Sequence, residues 1–453
     1  MLRNDFLTNK NRVNTSLSVL INEYDYFCDT MRKNTLYILL SILLLTFVCS
    51  CEKQENGFEI IDGVVYSSGS FHERSADYQW DKTKIVDIAF NDRSISVSPE
   101  NITIRENTVI IDKAGTYRLS GTLTDGQIVV DVNDKANVTL ILNGVSVVCS
   151  SGSPLFIKKA QKTVIYLEQG TENSFTDEYS YLSGDKATAS IFSKSYLTFF
   201  GKGTCEVIGQ HGDGISSEKG ILIKSGKFVI SAKDDGIVGK EYLVIDGGNF
   251  TIDSGDDGVC CGGDLDVNRD DHEGVISGAD FSLYIQGGYL FVNSGGYGIN
   301  VKGSIEMTDG EVVISGPTEP NKGAIEYDDS FVITGGTLIA VGNGSNEKPY
   351  TTSLSSQYGI YAFLSNNGGI AANTFVSLQD NQGRELVTIS NPKPFGFVMF
   401  VMPEIRRGST YTLYYGGTST GTKRDIVYVG GEYTPGKKFG KCTVNGILTR
   451  IIK

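Results

Sequence analysis

From Gly121 to Gly336 the chain returns to a glycine between two short apolar runs, at Gly121, Gly144, Gly170, Gly203, Gly226, Gly248, Gly288, Gly310 and Gly336. The steps are 23, 26, 33, 23, 22, 40, 22 and 26 residues, a basic interval near 22 with insertions in four places. An interval of this length is one supersecondary unit, repeated. Within each unit, apolar residues alternate with period two after the glycine, as in Phe228 and Ile230, Phe250 and Ile252, Leu290 and Val292, Val312 and Ile314. A second apolar run precedes it, in "ILIK", "LVID", "LYIQ", "IEMT" and "FVIT". Strands of four or five residues are too short to make a sheet alone, and no helical period offers a crossover. Stacking the units as coils of a parallel β-helix buries every inward column at once. The missing helical period excludes ankyrin, tetratricopeptide and armadillo arrays, and the interval excludes a nonapeptide calcium roll. No six-residue regularity marks a left-handed helix, so the expectation is an all-β, right-handed parallel β-helix over residues 90–345.

The same interval governs an acidic motif. "QHGDGISS", "AKDDGIVGK" and "SGDDGVCC" place Asp213, Asp235 and Asp257 at steps of 22 and 22 residues, with Asp234 and Asp256 beside two of them. At equal phase in successive coils, residues stand about 4.8 Å apart. Two carboxylates at that spacing repel by on the order of 3 kcal/mol at an effective dielectric near 20. Either their pKa values rise or a cation sits among them. Aspartate and glycine are ordinary turn residues, but turn chemistry does not explain the doubled aspartate. Several carboxylates with nearby backbone carbonyls suit Ca²⁺ better than zinc or copper. The column is bounded by Ala189 before it and Tyr297, in "GGYGIN", after it.

Other motifs are weaker. "DLDVNRDDHEG" offers Asp264, Asp266, Asn268 and Asp270 at the alternate spacing that opens an EF-hand loop. Arg269 stands where that loop needs Gly, however, and Val275 where it needs Glu. Asp264, Asp266 and Asp270 remain candidates for a second site or a groove wall. His211, two residues before Asp213, and Tyr297 are candidate ligand contacts. Lys240 is the candidate base if the protein cleaves its ligand. "GTSTG" at Gly417 to Gly421 satisfies G-x-S-x-G, but a strand-like run follows where a nucleophile elbow needs a helix. The five cysteines after Cys51 are odd in number and lack paired spacing, so neither a disulfide framework nor chemistry is expected of them.

The ends have their own character. "MRKNTLYILLSILLLTFVCSC" reads as a lipoprotein signal with a basic start at Arg32 and Lys33 and Cys51 as the lipidated residue. Residues 1–30 do not belong to such a signal, so translation is expected to begin at Met31. Residues 52–89 are expected to form a tether and N-terminal cap, with Trp80 in cap packing. From 346 to 453 the runs "GFVMFVM", "TYTLYYGG" and "RDIVYV" lose the 22-residue return. They are expected to form antiparallel strands over the open last coil, whose edges are otherwise sticky. A formal net charge of −13 argues against nucleic acid as a partner.

The ordered run from "AGTYRLSGTLTDGQIVVDV" through "VTLILNGVSV", "VIYLEQGTENSFTDE" and "ASIFSKSYLTFFGKGTCEV" to "DGISSEKGILIKSGKFVISAKDDGIVGKEYLVIDGGNFTI" resembles the bacterial secreted carbohydrate-binding domain family. The resemblance covers Ile102 to Gly342 and implies a right-handed β-helix related in shape to calcium-dependent pectate lyases. It also implies calcium held at Asp213, Asp234, Asp235, Asp256 and Asp257. The implied partner is a plant cell-wall polysaccharide, a pectic galacturonan or cellulose, bound without turnover. Tyr297 departs from the pattern, where an aspartate is expected. The leading expectation is thus a monomeric, lipid-anchored, surface-exposed protein of the bacterial envelope that binds acidic polysaccharide through Ca²⁺ bridges. A calcium-dependent lyase using Lys240 is the second reading. An adhesin or scaffold whose coils calcium stiffens is the third.

Overall fold

The computed structural model describes residues 73–98, 102–132, 135, 137–178, 187–262, 281–344, 347–364 and 369–453. The signal with Cys51 and the segment with Asp264, Asp266 and Asp270 lie outside them. Among the described residues no helix is long and apolar enough to cross a membrane.

Each 22-residue unit folds as one coil of three strands. In the unit after Asp235 these are Ile237–Gly239, Tyr242–Ile245 and Asn249–Ser254. Successive coils pair in parallel and in register: Ile215 faces Ile237, Ile237 faces Val259, Val259 faces Ile299, and Ile299 faces Ile325. The second and third strands stack likewise, with Leu243 on Leu283 and Phe250 on Leu290. The long strand Val138–Cys149 pairs through its first half with Lys162–Leu167 and through its last residues with Glu172–Asp177, joining two stacks into one sheet. Ile237, Leu243, Ile245, Phe250 and Ile252 of one coil are wholly buried, and Phe228 and Phe250 stack face to face at 4.9 Å and 6°. The architecture is all-β, parallel and β-helix-like, as the repeat predicts.

The glycine ladder is a corner. Gly248 and Gly288 have φ of +102° and +81°, in the left-handed region that side chains avoid. A Cβ on Gly288 would lie 2.6 Å from the Gly248 carbonyl oxygen of the coil below. Gly203 is the exception, since Gly201 takes the left-handed turn in its coil. Gly203 still accepts from the Lys227 N–H of the next coil at 3.1 Å.

Both ends wrap the flank of the coils. Tyr78 and Trp80, around the short 3-10 helix Ser75–Tyr78, pack on the outward side chains Ile141, Val164, Tyr166 and Phe200. Asp77 is tied there by Lys162 at 2.6 Å, with both side chains nearly inaccessible. The strand Ile85–Asp92 then runs parallel to Gly115–Leu123.

At the other end, Phe397–Val401 pairs antiparallel with Thr337–Gly342 of the last coil, and six further strands between Phe375 and Thr443 form an antiparallel sheet. Their apolar side chains pack on outward Tyr289, Phe291, Val313 and Ile339 of three coils. Lys393 Nζ donates to the carbonyls of Ser294 and Ser315, each at 2.8 Å. Leu448–Arg450 departs from the antiparallel expectation, pairing parallel with Gly359–Phe363.

Candidate functional site

The aspartates sit where each coil turns into its first strand. Ala189 faces Asp213, and the register carries Asp213 onto Asp235 and Asp235 onto Asp257. The carboxylates form a hydrogen-bonded ladder. Asp213 Oδ1 accepts the Asp235 N–H at 3.4 Å, Asp235 Oδ1 accepts the Asp257 N–H at 2.9 Å, and Asp257 Oδ1 accepts the Tyr297 N–H at 2.7 Å. One oxygen of each side chain thus supports the next turn, and the second is left for other partners. Thr188 Oγ1 lies 3.4 Å from Asp213 Oδ2, and Asn300 Nδ2 donates to Asp257 Oδ2 at 2.6 Å.

Asp234 is exposed and Asp256 half-buried on the adjoining turn. Oxygens of Asp234, Asp235 and Asp256 lie within 4.8 Å of one another. Burial raises all three column carboxyls. Asp213 is pushed up to about 7 by burial and then by the charge of Asp234. Asp235 is pushed up to about 8 by burial and then by Asp213 and Asp257. Asp257 rises for the same first reason, opposed by its bond from Asn300.

A cation fits this arrangement on two observations besides charge. Gly296 stands where a third outer side chain would be. A Cβ there would lie 2.1 Å from Asp256 Oδ1 and 2.3 Å from Asp257 Oδ1, so only glycine lets other groups reach those oxygens, as Lys322 Nζ and the Tyr297 N–H do. Asn300 Oδ1, one residue type away from the column's own chemistry, is buried with no hydrogen-bond partner. The outer trio of carboxylates supplies hard oxygen donors alone.

The structure also brings in residues that sequence reasoning passed over. Cys260 was expected to carry no chemistry, yet its buried Sγ lies 3.4 Å from Asp235 Oδ2 and 3.8 Å from Asp257 Oδ2. Burial and both carboxylates hold the thiol well above its usual pKa, so with no metal beside it the thiol is a proton donor to the column. Its position three residues after Asp257, on the same face of the turn, was the available signal. None of the five described cysteines is in a disulfide.

Lys322 forms an ion pair with Asp256 and lies 5.8 Å from the centre of the Tyr297 ring. Burial acts to lower its pKa, but the bond and charge of Asp256 outweigh it and the net shift is upward. Lys240, the lysine singled out from the sequence, stands past the far end of Ile237–Gly239 from Asp235. Its N–H is bound to the Ser217 carbonyl at 3.0 Å. Lys219 pairs with Glu241 at 2.5 Å and not with its neighbour Glu218. His211 is exposed in the turn before Asp213, its N–H 3.3 Å from Asp177 Oδ1. Tyr297 is half-buried at the column's end.

Parallel coils carrying a stacked acidic turn make the chain a repeat-built β protein, and comparison adds its family. The family described as carbohydrate-binding domain-containing protein matches residues 105–379, more than half of the sequence, and the chain belongs to this family. A carbohydrate-binding domain-containing protein of Acetivibrio thermocellus is 32% identical over 146 residues, 31% of this chain and 51% of that protein. The chain therefore spans about half the length of the curated relative it matches. Among solved structures, a gadolinium derivative of the polysaccharide lyase-like protein from C. thermocellum aligns with a TM-score of 0.48 and 25% identity. The alignment covers 58% of this chain and 99% of that one.

Proposed function

We propose that this protein binds polysaccharide without cleaving it, through Ca²⁺ held at the aspartate turns. Asp234, Asp235 and Asp256 would hold the ion, with Asp213 and Asp257 completing the acidic column. Bound calcium would supply positive charge and open coordination positions for sugar oxygens and uronate carboxylates. The observation that carries this reading is the ladder itself. Three carboxylates, two buried and one half-buried, are stacked on one another, and Asp235 converges with the outer Asp234 and Asp256 within 4.8 Å, in a chain of the carbohydrate-binding family. The favoured partner is an acidic or plant cell-wall glycan of the pectic galacturonan or cellulose type. The reading includes a right-handed, pectate-lyase-like winding, C-terminal strands that close the last coil, and lipid anchoring at Cys51 on the bacterial envelope.

A lyase needs a deprotonated base beside the ion. Lys240, the candidate base, stands past the far end of Ile237–Gly239 from the aspartates, its N–H bound to Ser217 of the neighbouring coil, which favours binding over turnover. The test is a glycan array probed with and without calcium, followed by an ultraviolet assay for unsaturated uronate ends on the best binder. Calcium-dependent capture without ultraviolet product is expected. Capture indifferent to calcium would remove the ion from the function, and product formation would make the protein an enzyme.

A further inference from the structure

Lys322 occupies a place that a cation site alone does not explain. It belongs to the loop between Glu311–Ser315 and Ile325–Tyr327 and reaches back past the turn of Gly296 to Asp256. The bare glycine makes that reach possible, because a Cβ at 296 would sit on the Asp256 oxygen that Lys322 contacts. A cation belonging to the chain therefore already neutralises one of the three outer carboxylates. Beside it, Tyr297 offers a partly open ring face.

Resting on the cation site proposed above, we propose that Lys322 is a resident counter-ion displaced from Asp256 by a divalent cation, and that the released ammonium beside Tyr297 then binds a carboxylate of an acidic glycan. A Ca²⁺ taken up by Asp256 weakens its hold on the ammonium, since the two positive charges repel. Lysine suits such an exchange, with a flexible stem and a compact charge whose three donors are freely aimed. Of the other acids near it, two are committed. Asp257 accepts from Tyr297 N and Asn300 Nδ2, and Glu326 is paired with Lys348.

Once freed, the ammonium keeps the ring, a weak partner at an exposed site, and the longer-range charges of Asp257 and Glu319. A sugar acid supplies both missing contacts, its carboxylate to Lys322 and its ring face to Tyr297. A neutral glycan supplies only the second. Because the two bindings share Lys322, calcium should tighten acidic glycan and acidic glycan should tighten calcium by the same factor.

The test uses the full chain with Lys322→Met and Lys322→Arg, and Lys322→Gln should the methionine variant aggregate. CaCl₂ titrations are read by calorimetry. Retention in gels containing polygalacturonate, or neutral hydroxyethylcellulose, is read with and without calcium. Removing a half-exposed ion-pair competitor should tighten calcium about two- to fivefold in Lys322→Met. The same change should abolish most calcium-dependent retention by polygalacturonate while hydroxyethylcellulose retention is unchanged, and Lys322→Arg should keep retention. Equal or weaker calcium binding in Lys322→Met, or undiminished retention, with wild-type calcium binding intact, would overturn the role of Lys322 alone. Absence of calcium heat in both wild type and variant would overturn the cation site, and the exchange with it.

Discussion

Each aspartate of the column has two duties. One oxygen accepts the N–H of the next turn, and burial opposes the charge that makes it a strong acceptor. The consequence for pH has a definite sign. In the unfolded chain these carboxyls titrate near 3.8, whereas in the fold Asp213 and Asp235 titrate at about 7 and about 8. Their contribution to stability is therefore fully present below pH 4 and is lost as pH rises through about 7 to 8, where the folded chain is forced to ionise. Calcium bound as proposed would reverse this by favouring the charged form. The calcium-induced rise in melting temperature should be large at pH 8.5 and fade toward pH 5, where protons occupy the same oxygens. Scanning fluorimetry in chelator and in calcium at both pH values measures it. Asp235→Asn with Asp257→Asn should lose most of the rise at pH 8.5, and an undiminished shift in that variant would place the ion elsewhere.

At the scale of the element, two kinds of residue set the coil. Gly288→Ala forces a side chain into the left-handed region and against the Gly248 carbonyl. It should cost on the order of 1–3 kcal/mol, read by urea denaturation, and a neutral result would mean that the corner is not tight. Phe228→Ala removes one ring of the Phe228–Phe250 stack from a closed interior and should cost about 3–5 kcal/mol.

Much of this was legible. Alternation placed Phe250 and Ile252 inward, and the 22-residue phase put Ala189, Asp213, Asp235, Asp257 and Tyr297 in one column. The C-terminal docking was not read, although a signal existed. Outward positions are polar in Asn249, Thr251 and Asp253 but turn apolar in Tyr289, Phe291, Val313 and Ile339. A strand apolar on both faces is covered on both. Lys322 was illegible for a different reason: it comes from two coils along and reaches backward, so no local spacing announces it.

Over the whole molecule, the coils are held by their flanks as well as by their stacking. The N-terminal segment buries Tyr78 and Trp80 and closes with Asp77 on Lys162. Lys162→Met leaves the Asp77 carboxylate buried with only its bonds from Arg74 N at 2.9 Å and Asn137 Nδ2 at 2.8 Å. Breaking one side of such a pair costs about 3–5 kcal/mol, so this variant should unfold at markedly lower urea. Replacing both partners, Asp77→Leu with Lys162→Met, should recover much of the loss. Equal midpoints for the single variant and wild type would mean that the segment does not brace the coils.

The register that stacks Asp213 on Asp235 also makes 22 residues a transferable length of gene. Asp213 to Asp234 begins and ends at one phase, so an in-frame copy of that stretch inserts three strands that meet old neighbours above and below on unchanged hydrogen bonds. Such a tandem duplication adds one rung to the acidic column and leaves both ends where they were relative to their own coils. The number of acidic rungs in a descendant of this chain can then change by unequal crossing-over, in whole steps, without any new contact having to be invented.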